Sequence, residues 1–489
     1  VATHPFAIVI DGVNSGANIL DDYATTSPGT PWVDPTTVRI STDANGMTGS
    51  FSFDVLQVRT PAAGPWWKSG NVYDNARVRF QVSGTTTFLG FITQIDAQLA
   101  ENGLGTRATV TADAASSFLD KIIVYSGKTT STLKATYTNP FNLGNASTTD
   151  QAMVTLLNSQ VDTIMAKTTG ATGTAGTTAR AANRLIVDTS STPLYTGTAV
   201  TIGQLTFPLG TYRSALDTIK EAAESYDAEQ RRYWVGPDAK LRYARLGSAV
   251  PTYATAPFKI VTTPTYSPYG STSAAATLQA RDLRVSLDHD SIIKRARFVM
   301  TSNSSDWDAK ISAGVYTVKD PYSRVYDAAA PNGAGMTTRN GPRPDTIIQV
   351  NPVPAKAAKP TYWTDKITTY GQKYFGSDTY PNRAAPLRSV TFSVRGADTT
   401  NNPYGYVKGY YRKADGTYAL QDGWEAGQYV EINDATTIGG NTVNVLGLGG
   451  LYRIESLVMS FEKGSMIRQF DMTCERVPIS PLKKFLDKA

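Results

Sequence analysis

A single cysteine, Cys474, stands in 489 residues, which excludes an internal disulfide framework and suits a chain made in a reducing cytoplasm. Only two histidines, His4 and His289, are present. That leaves little for a histidine-based nucleophile system or a histidine-rich metal site. Neither G-x-S-x-G nor H-E-x-x-H occurs. Charged residues are scarce at 18%, and the net charge of +6 is spread out, densest at Arg231-Arg232 and Lys483-Lys484. A general nucleic-acid binder would gather its basic residues on one face. No apolar run approaches the roughly 18 residues of a membrane span. The start, Val1 to Ile10, lacks a basic region followed by an apolar stretch and a cleavage site, so a secretory signal is expected to be absent or already removed.

The missing charge is replaced by Thr, Ser, Gly, Asn and Tyr, residues of strands and tight turns. Apolar residues still reach 41%, enough to fill cores, and the length suggests roughly three to four domains. The fold class expected is mainly β, with an α+β part.

Residues 1–125 alternate apolar and polar positions with the period of a strand. Phe51, Phe53 and Val55 do so, then Val78, Phe80 and Val82, then Phe88 to Ile95, then Ala108, Val110 and Ala112. Five or six short strands in this space predict a small barrel or sandwich. Two helices are predicted inside the chain, with a further short one in the tail Pro478 to Ala489. Thr148-Thr149-Asp150-Gln151 reads as a capping box with Thr148 as N-cap, followed by Met153, Leu156, Leu157, Val161 and Ile164 at helical spacing. Leu216, Ile219, Ala222, Ala223 and Tyr226 line a second helix starting near Thr211, and a hairpin turns at Gly236-Pro237-Asp238. Between the helices, Thr168 to Ala182 is almost all Thr, Gly and Ala, a low-complexity loop.

The last β region echoes the first. Setting Ile92 on Ile454, an offset of 362, places Ile95 on Leu457 and Ala108, Val110 and Ala112 on Phe470, Met472 and Cys474 without a gap. Val78 and Phe80 then match Val430 and Ile432 with ten extra residues in the second copy, and Phe51, Phe53 and Val55 match Val390, Phe392 and Val394. Alternation alone aligns many β regions, but the ungapped match spans two strands and their turn. The interiors should be filled by Phe53, Phe80, Ile92 and Val110 in one copy and Phe392, Ile432, Ile454 and Met472 in the other.

Four segments carry a resemblance to a family: Phe88-Leu-Gly-Phe-Ile-Thr-Gln-Ile95, Val110 to Asp113 with Phe118 to Lys121, the helix-hairpin Leu216 to Tyr243, and Leu451 to Leu457 with Ser460-Phe461 and Phe470 to Glu475. In this order they resemble the baseplate hub, or tail-associated, proteins at the tail tip of long-tailed bacteriophages. The match is one of pattern and covers about half the chain. It implies two similar small β-barrel domains per subunit and a homotrimer whose six barrels form a ring. Such a ring would adapt the sixfold tail tube to the threefold tip and gate genome release. The implied partners are the distal tail protein, the tape measure protein and tip, spike or fibre proteins. Viral DNA is met only in transit through the lumen, and contact with the host envelope is left open. The implied location is the virion tail tip, after assembly in the host cytoplasm.

The domain reading follows. The first hub barrel spans 1–125, an insertion with one helix 126–205, a helix plus hairpin 206–250, and a linker 251–280. Strands joining the second barrel take 281–302, a loop-rich insertion 303–386, the second barrel 387–477 and a tail 478–489.

No residue is assigned to catalysis, to a cofactor or to a metal. Ser126-Gly127-Lys128-Thr129 follows an apolar stretch, but a phosphate loop needs glycine where Ile122 stands. Gly447-Leu-Gly-Gly450 lacks a third glycine at Tyr452 and reads as a hairpin tip. Asp288-His289-Asp290 reads as a solvated turn. Glu221, Glu224, Asp227 and Glu229 form the wet face of the second helix, so Glu224→Ala is expected to be nearly silent. Trp66-Trp67 sits between strands as a lid over the barrel's open end, or else at a subunit interface. The chain is expected not to be an enzyme. The alternative to the hub is a host receptor- or carbohydrate-binding tail protein using Trp66, Trp67 and the Tyr-rich stretch 362–411, and a third reading is a cell-wall hydrolase.

Overall fold

A computed structural model of the full chain describes residues 6–10, 17–18, 31–44, 49–58, 62, 64–67, 76–82, 85–99, 103–124, 141–142, 149–158, 192–202, 205–207, 210–227, 231–245, 258–261, 277–279, 281–288, 295–300, 323–327, 346–350, 387–395, 409–412, 418–421, 426–427, 429–433, 435–438, 441–444, 450–461 and 468–476.

The first β region contains β1 (Phe6–Ile10), β2 (Ala17–Asn18), β3 (Trp32–Asp43), β4 (Gly49–Gln57), β5 (Arg77–Val82), β6 (Thr85–Leu99) and β7 (Thr106–Ala114). A 3-10 turn, Ala115–Asp120, leads out of it. The middle of the chain adds short strands β8 (Ile123–Val124), β9 (Phe141–Asn142), β10 (Leu194–Thr196), β11 (Thr206–Phe207) and β12 (Gly210–Thr211). It also holds helix α1 (150–158), helix α2 (Tyr212–Asp227) and the hairpin β13 (Arg231–Val235) and β14 (Leu241–Arg245). Next come β15 (Phe258–Val261), β16 (Thr277–Gln279), β17 (Arg281–Asp288), β18 (Arg295–Met300), β19 (Ser323–Asp327) and β20 (Thr346–Val350). The last region has β21 (Leu387–Arg395), β22 (Gly409–Arg412), β23 (Tyr418–Gln421), β24 (Tyr429–Asn433), β25 (Ala435–Ile438), β26 (Asn441–Asn444), β27 (Gly450–Phe461) and β28 (Arg468–Arg476).

The mainly β class stands, but no closed barrel forms among the described strands. One fourteen-stranded sheet runs through both β regions. The reason lies in β27, which is 12 residues long. Its first half pairs with β24 and its second half, on the same edge, with β3, so hydrogen bonding passes from one region into the other. The sheet curls: Phe51 on β4 and Phe80 on β5 meet edge to face at 6.1 Å although β7 and β6 lie between their strands. All eight interior positions expected from the repeat are buried in one apolar cluster. Placing every second residue of each strand on one face achieves this.

The two regions share strand order. The sequence β4-β7-β6-β5 in the first is β21-β28-β27-β24 in the second. Registers agree as well: Phe53 faces Val110 as Phe392 faces Met472, and Val78 faces Gly90 as Val430 faces Tyr452. Even the bulge repeats. The ladder of β6 with β7 shifts between Ile92 and Gln94, and that of β27 with β28 between Ile454 and Ser456.

Three expectations are corrected. The segment 251–280 is no plain linker, since β15 and β16 add to the sheet beside β24. The strand at 295–300 does not join the second copy; β18 pairs with β19 and β20, from the loop-rich insertion, in a separate three-stranded sheet. The strand that does join is β17, against β21. Finally, the cap of α1 is Thr149, whose Oγ1 accepts the Ala152 N–H at 3.2 Å. Gln151 bonds instead to the Gly197 carbonyl, and Leu156 is exposed while Met153 and Leu157 are buried. Val161, Ile164 and the Thr/Gly/Ala-rich loop lie outside the described residues.

A second apolar core gathers α1, α2, the 3-10 turn and the hairpin against Leu89 and Phe91 of β6. These two residues point away from Phe88 and Ile92, which serve the first core. Inside it, Asp150 accepts from the Arg231 Nε at 3.0 Å and the Tyr243 hydroxyl at 3.2 Å. The α2 start is capped by Thr211 Oγ1, which accepts the Ser214 N–H at 3.1 Å.

Candidate assembly interface

The joint between the two strand sets is the best-defined interface in the chain. Beyond its bulge, β27 pairs with β3 from Ser456 opposite Asp43 to Ser460 opposite Arg39. The bulged residue Glu455 accepts the Ala44 N–H on its carbonyl at 2.7 Å. Its carboxylate takes two hydrogen bonds from the buried Arg453 guanidinium, at 2.5 and 3.0 Å. Gly427 closes the other side: its N–H reaches the Ile454 carbonyl at 2.7 Å with φ at +91°. Arg232, from the hairpin, fastens the joint. Its Nη1 donates to the carbonyls of Ala44, at 2.6 Å, and Ala426, at 3.4 Å, and its guanidinium lies 3.7 Å above the Trp234 ring. Donating from Nη1 to two carbonyls while the guanidinium plane stacks on an indole is a task suited to arginine.

Both halves of this joint occur a second time without each other. In the first copy, β6 runs past the matching bulge, and among the described strands its residues 94–98 pair only with β7. Their counterparts in β27 carry β3 on that edge. The difference shows in exposure: Leu457, Met459 and Phe461 are buried, whereas Ala97 is exposed and Leu99 is 69% exposed. In the second copy, β17 is the counterpart of β3. Ile40 faces Phe51 as Val285 faces Val390, and both ladders are irregular just before Arg39 and Arg284. The sequences agree along this stretch, Val38-Arg-Ile-Ser-Thr-Asp43 against Leu283-Arg-Val-Ser-Leu-Asp288. Among the described strands β17 pairs only with β21, and Leu287 is 47% exposed. Sequence reasoning missed this echo because its offset, 245, differs from that of the other strands.

The residues singled out in sequence fall elsewhere. Trp66 is buried in the first core, with Trp67 against it at 5.6 Å and nearly perpendicular, so the pair is no exposed platform. Glu224 is partly exposed and not a free acid, since its carboxylate accepts the Arg231 N–H at 2.6 Å. Glu221 is exposed, and the side chains of Asp227 and Glu229 lie outside the described residues. So do Ser126 to Thr129, Gly447 to Gly449, His289-Asp290 and most of 362–411, whereas Gly450 begins β27 and Asp288 ends β17. Among the described residues no group of three or more His, Cys, Asp or Glu could hold a metal. Burial pushes the Cys474 thiol pKa well up, with the Glu455 charge adding to it.

Among solved structures, the tail protein from Neisseria meningitidis MC58 is similar over 98% of this chain and 98% of its own, with a TM-score of 0.52 at 12% identity. The 43 kDa tail protein of prophage MuSo2 from Shewanella oneidensis is similar over 96% of this chain and 98% of its own, with a TM-score of 0.50 at 11% identity. The chain shares the fold of these two tail proteins. At such identity the likeness lies in how the strands are arranged and not in particular side chains. No family model and no curated protein matches the sequence. The internal repeat of this tail-protein fold is thus established by the ladders of the chain itself.

Proposed function

We propose that the chain is a structural subunit of a phage tail, the baseplate hub at its tip, and that it performs no catalytic step. The observation carrying this is a chain-long tail-protein fold built from two strand sets of identical order and register. A threefold ring of such chains presents six near-equivalent faces, which is what docking on a sixfold tube requires; one strand set per chain would present three. On this reading the distal tail and tape measure proteins meet the ring on the tube side, and tip, spike or fibre proteins on the other. Viral DNA passes through the lumen, and the ring opens on host contact. The receptor- or carbohydrate-binding alternative loses half of its aromatic pair, since Trp66 is buried.

The test is a density map of the phage particle in which this chain is located and its copies counted. Three copies at the tail tip are expected. Six copies per ring along the tube, or a place on the capsid, would sink the hub reading.

A further inference from the structure

We infer that these two edges, unpartnered among the described strands, are one interface in two halves, so that residues 94–98 of β6 pair with residues 284–288 of β17 in a second copy of this chain. This rests on the ring reading for its closure, but its geometry comes from the joint inside the chain. There, the post-bulge half of one repeat binds the leading strand of the other. The same two surfaces recur at the far ends, with six strands between them in the sheet, and another copy of the chain offers the matching half to each.

Transferring the register of the internal joint fixes every pair. Ser456 opposite Asp43 becomes Gln94 opposite Asp288, and Leu457 opposite Thr42 becomes Ile95 opposite Leu287. Val458 opposite Ser41 becomes Asp96 opposite Ser286, Met459 opposite Ile40 becomes Ala97 opposite Val285, and Ser460 opposite Arg39 becomes Gln98 opposite Arg284. The apolar residues of the two edges thereby fall on one face and the polar residues on the other, although neither edge was used to choose the register. Directly opposed apolar pairs are the unit that stabilises a sheet.

The depth of the contact follows too. At the internal joint Phe461 enters the core of the other repeat, 6.3 Å from Phe80 and 5.1 Å from Phe6. Leu99 is the counterpart of Phe461, and Ile432 that of Phe80. Leu99 of one copy therefore enters beside Ile432 of the next, which accounts for a leucine left in water at the end of a long strand. Exposed apolar edges are a hazard that single-chain proteins blunt with charge, proline or cover. The contact is head to tail, so it generates a closed ring when the rotation per subunit divides a full turn.

Two single-cysteine variants, Asp96→Cys and Ser286→Cys, both at exposed positions, are mixed and oxidised. A covalent dimer is expected from the mixture alone. The mixture of Gln94→Cys with Arg284→Cys should give none, because on this register their Cα atoms lie well beyond the roughly 7 Å a disulfide can bridge. Leu99→Lys and Leu287→Lys should each reduce the assembled protein to monomer in sedimentation, with thermal unfolding of the monomer unchanged. The proposal falls if the native chain is monomeric at every concentration, if the opposed pair does not cross-link in assembled protein, if the offset pair cross-links equally, or if both lysine variants assemble normally. Cross-linked rings from a chain absent from phage tails would uphold the interface and end the hub reading. A chain found at the tail tip whose opposed cysteines never cross-link would do the reverse.

Discussion

Asp150 and Arg231 form an ion pair 3.0 Å apart, withdrawn from water at 1% and 0% side-chain exposure. Asp150 opens helix α1 and Arg231 opens strand β13, so the pair ties the two ends of the helix-hairpin body together. The other carboxylate oxygen accepts the Val200 and Gln151 N–H groups, each at 2.9 Å. Asp150→Ala removes the carboxylate that pairs with the buried Arg231 guanidinium, at a cost of about 3–5 kcal/mol. Denaturant titration should show this as a large fall in midpoint. Removing both charges together should cost less than removing Asp150 alone; an additive double variant would mean the pair is not coupled.

Helix α2 gives a paired prediction. Leu216 is fully buried, and Leu216→Asp puts an uncompensated charge into the second core, about 3–5 kcal/mol of destabilisation. Insoluble protein is the expected readout. Glu224→Ala removes the acceptor of the Arg231 N–H and should cost about 1–2 kcal/mol. Its effect is on unfolding, and a loss of infectivity with normally assembled, equally stable tails would instead point to chemistry at Glu224.

The joint between repeats should be sensitive at Gly427. A Cβ there would collide with the Arg232 guanidinium, and the backbone sits at φ +91°. Gly427→Ala should therefore destabilise by about 1–3 kcal/mol. Arg232→Lys should not restore what Arg232→Ala loses, since a lysine cannot span both carbonyls while stacking on Trp234. Unfolding midpoints of the three variants decide this.

Cys474 should be inert in the folded chain. It is fully buried on β28, and burial raises its pKa well above the ordinary thiol value, so the reactive thiolate is suppressed. Alkylation followed by mass measurement should show no adduct under native conditions, even at mildly alkaline pH, and one adduct after denaturation. Rapid native labelling would contradict the burial.

Alternation in the sequence was enough to identify four matched strands in each repeat and the eight residues that fill them. Period two commits a strand to one buried face before any partner is known. The same logic located α2 and its hairpin, because an apolar stripe at helical spacing followed by a turn leaves few alternatives. Pairing partners were less legible. Thr149 rather than Thr148 caps α1 because the Thr149 side chain reaches the third N–H of that turn, a one-residue difference that capping patterns do not resolve.

The sequence by itself determined the matched strands of the two repeats, which face of each is apolar, and that the first region is echoed in the last. Only the tertiary structure decided that β27 would bridge two strand sets into one sheet, that β17 rather than β18 would complete the second, and that Arg232 would fasten the joint. Faces are encoded locally, in the side chains of each strand. Edges are not, because every backbone offers the same N–H and C=O groups, and their partners are chosen by how the whole chain brings the strands together.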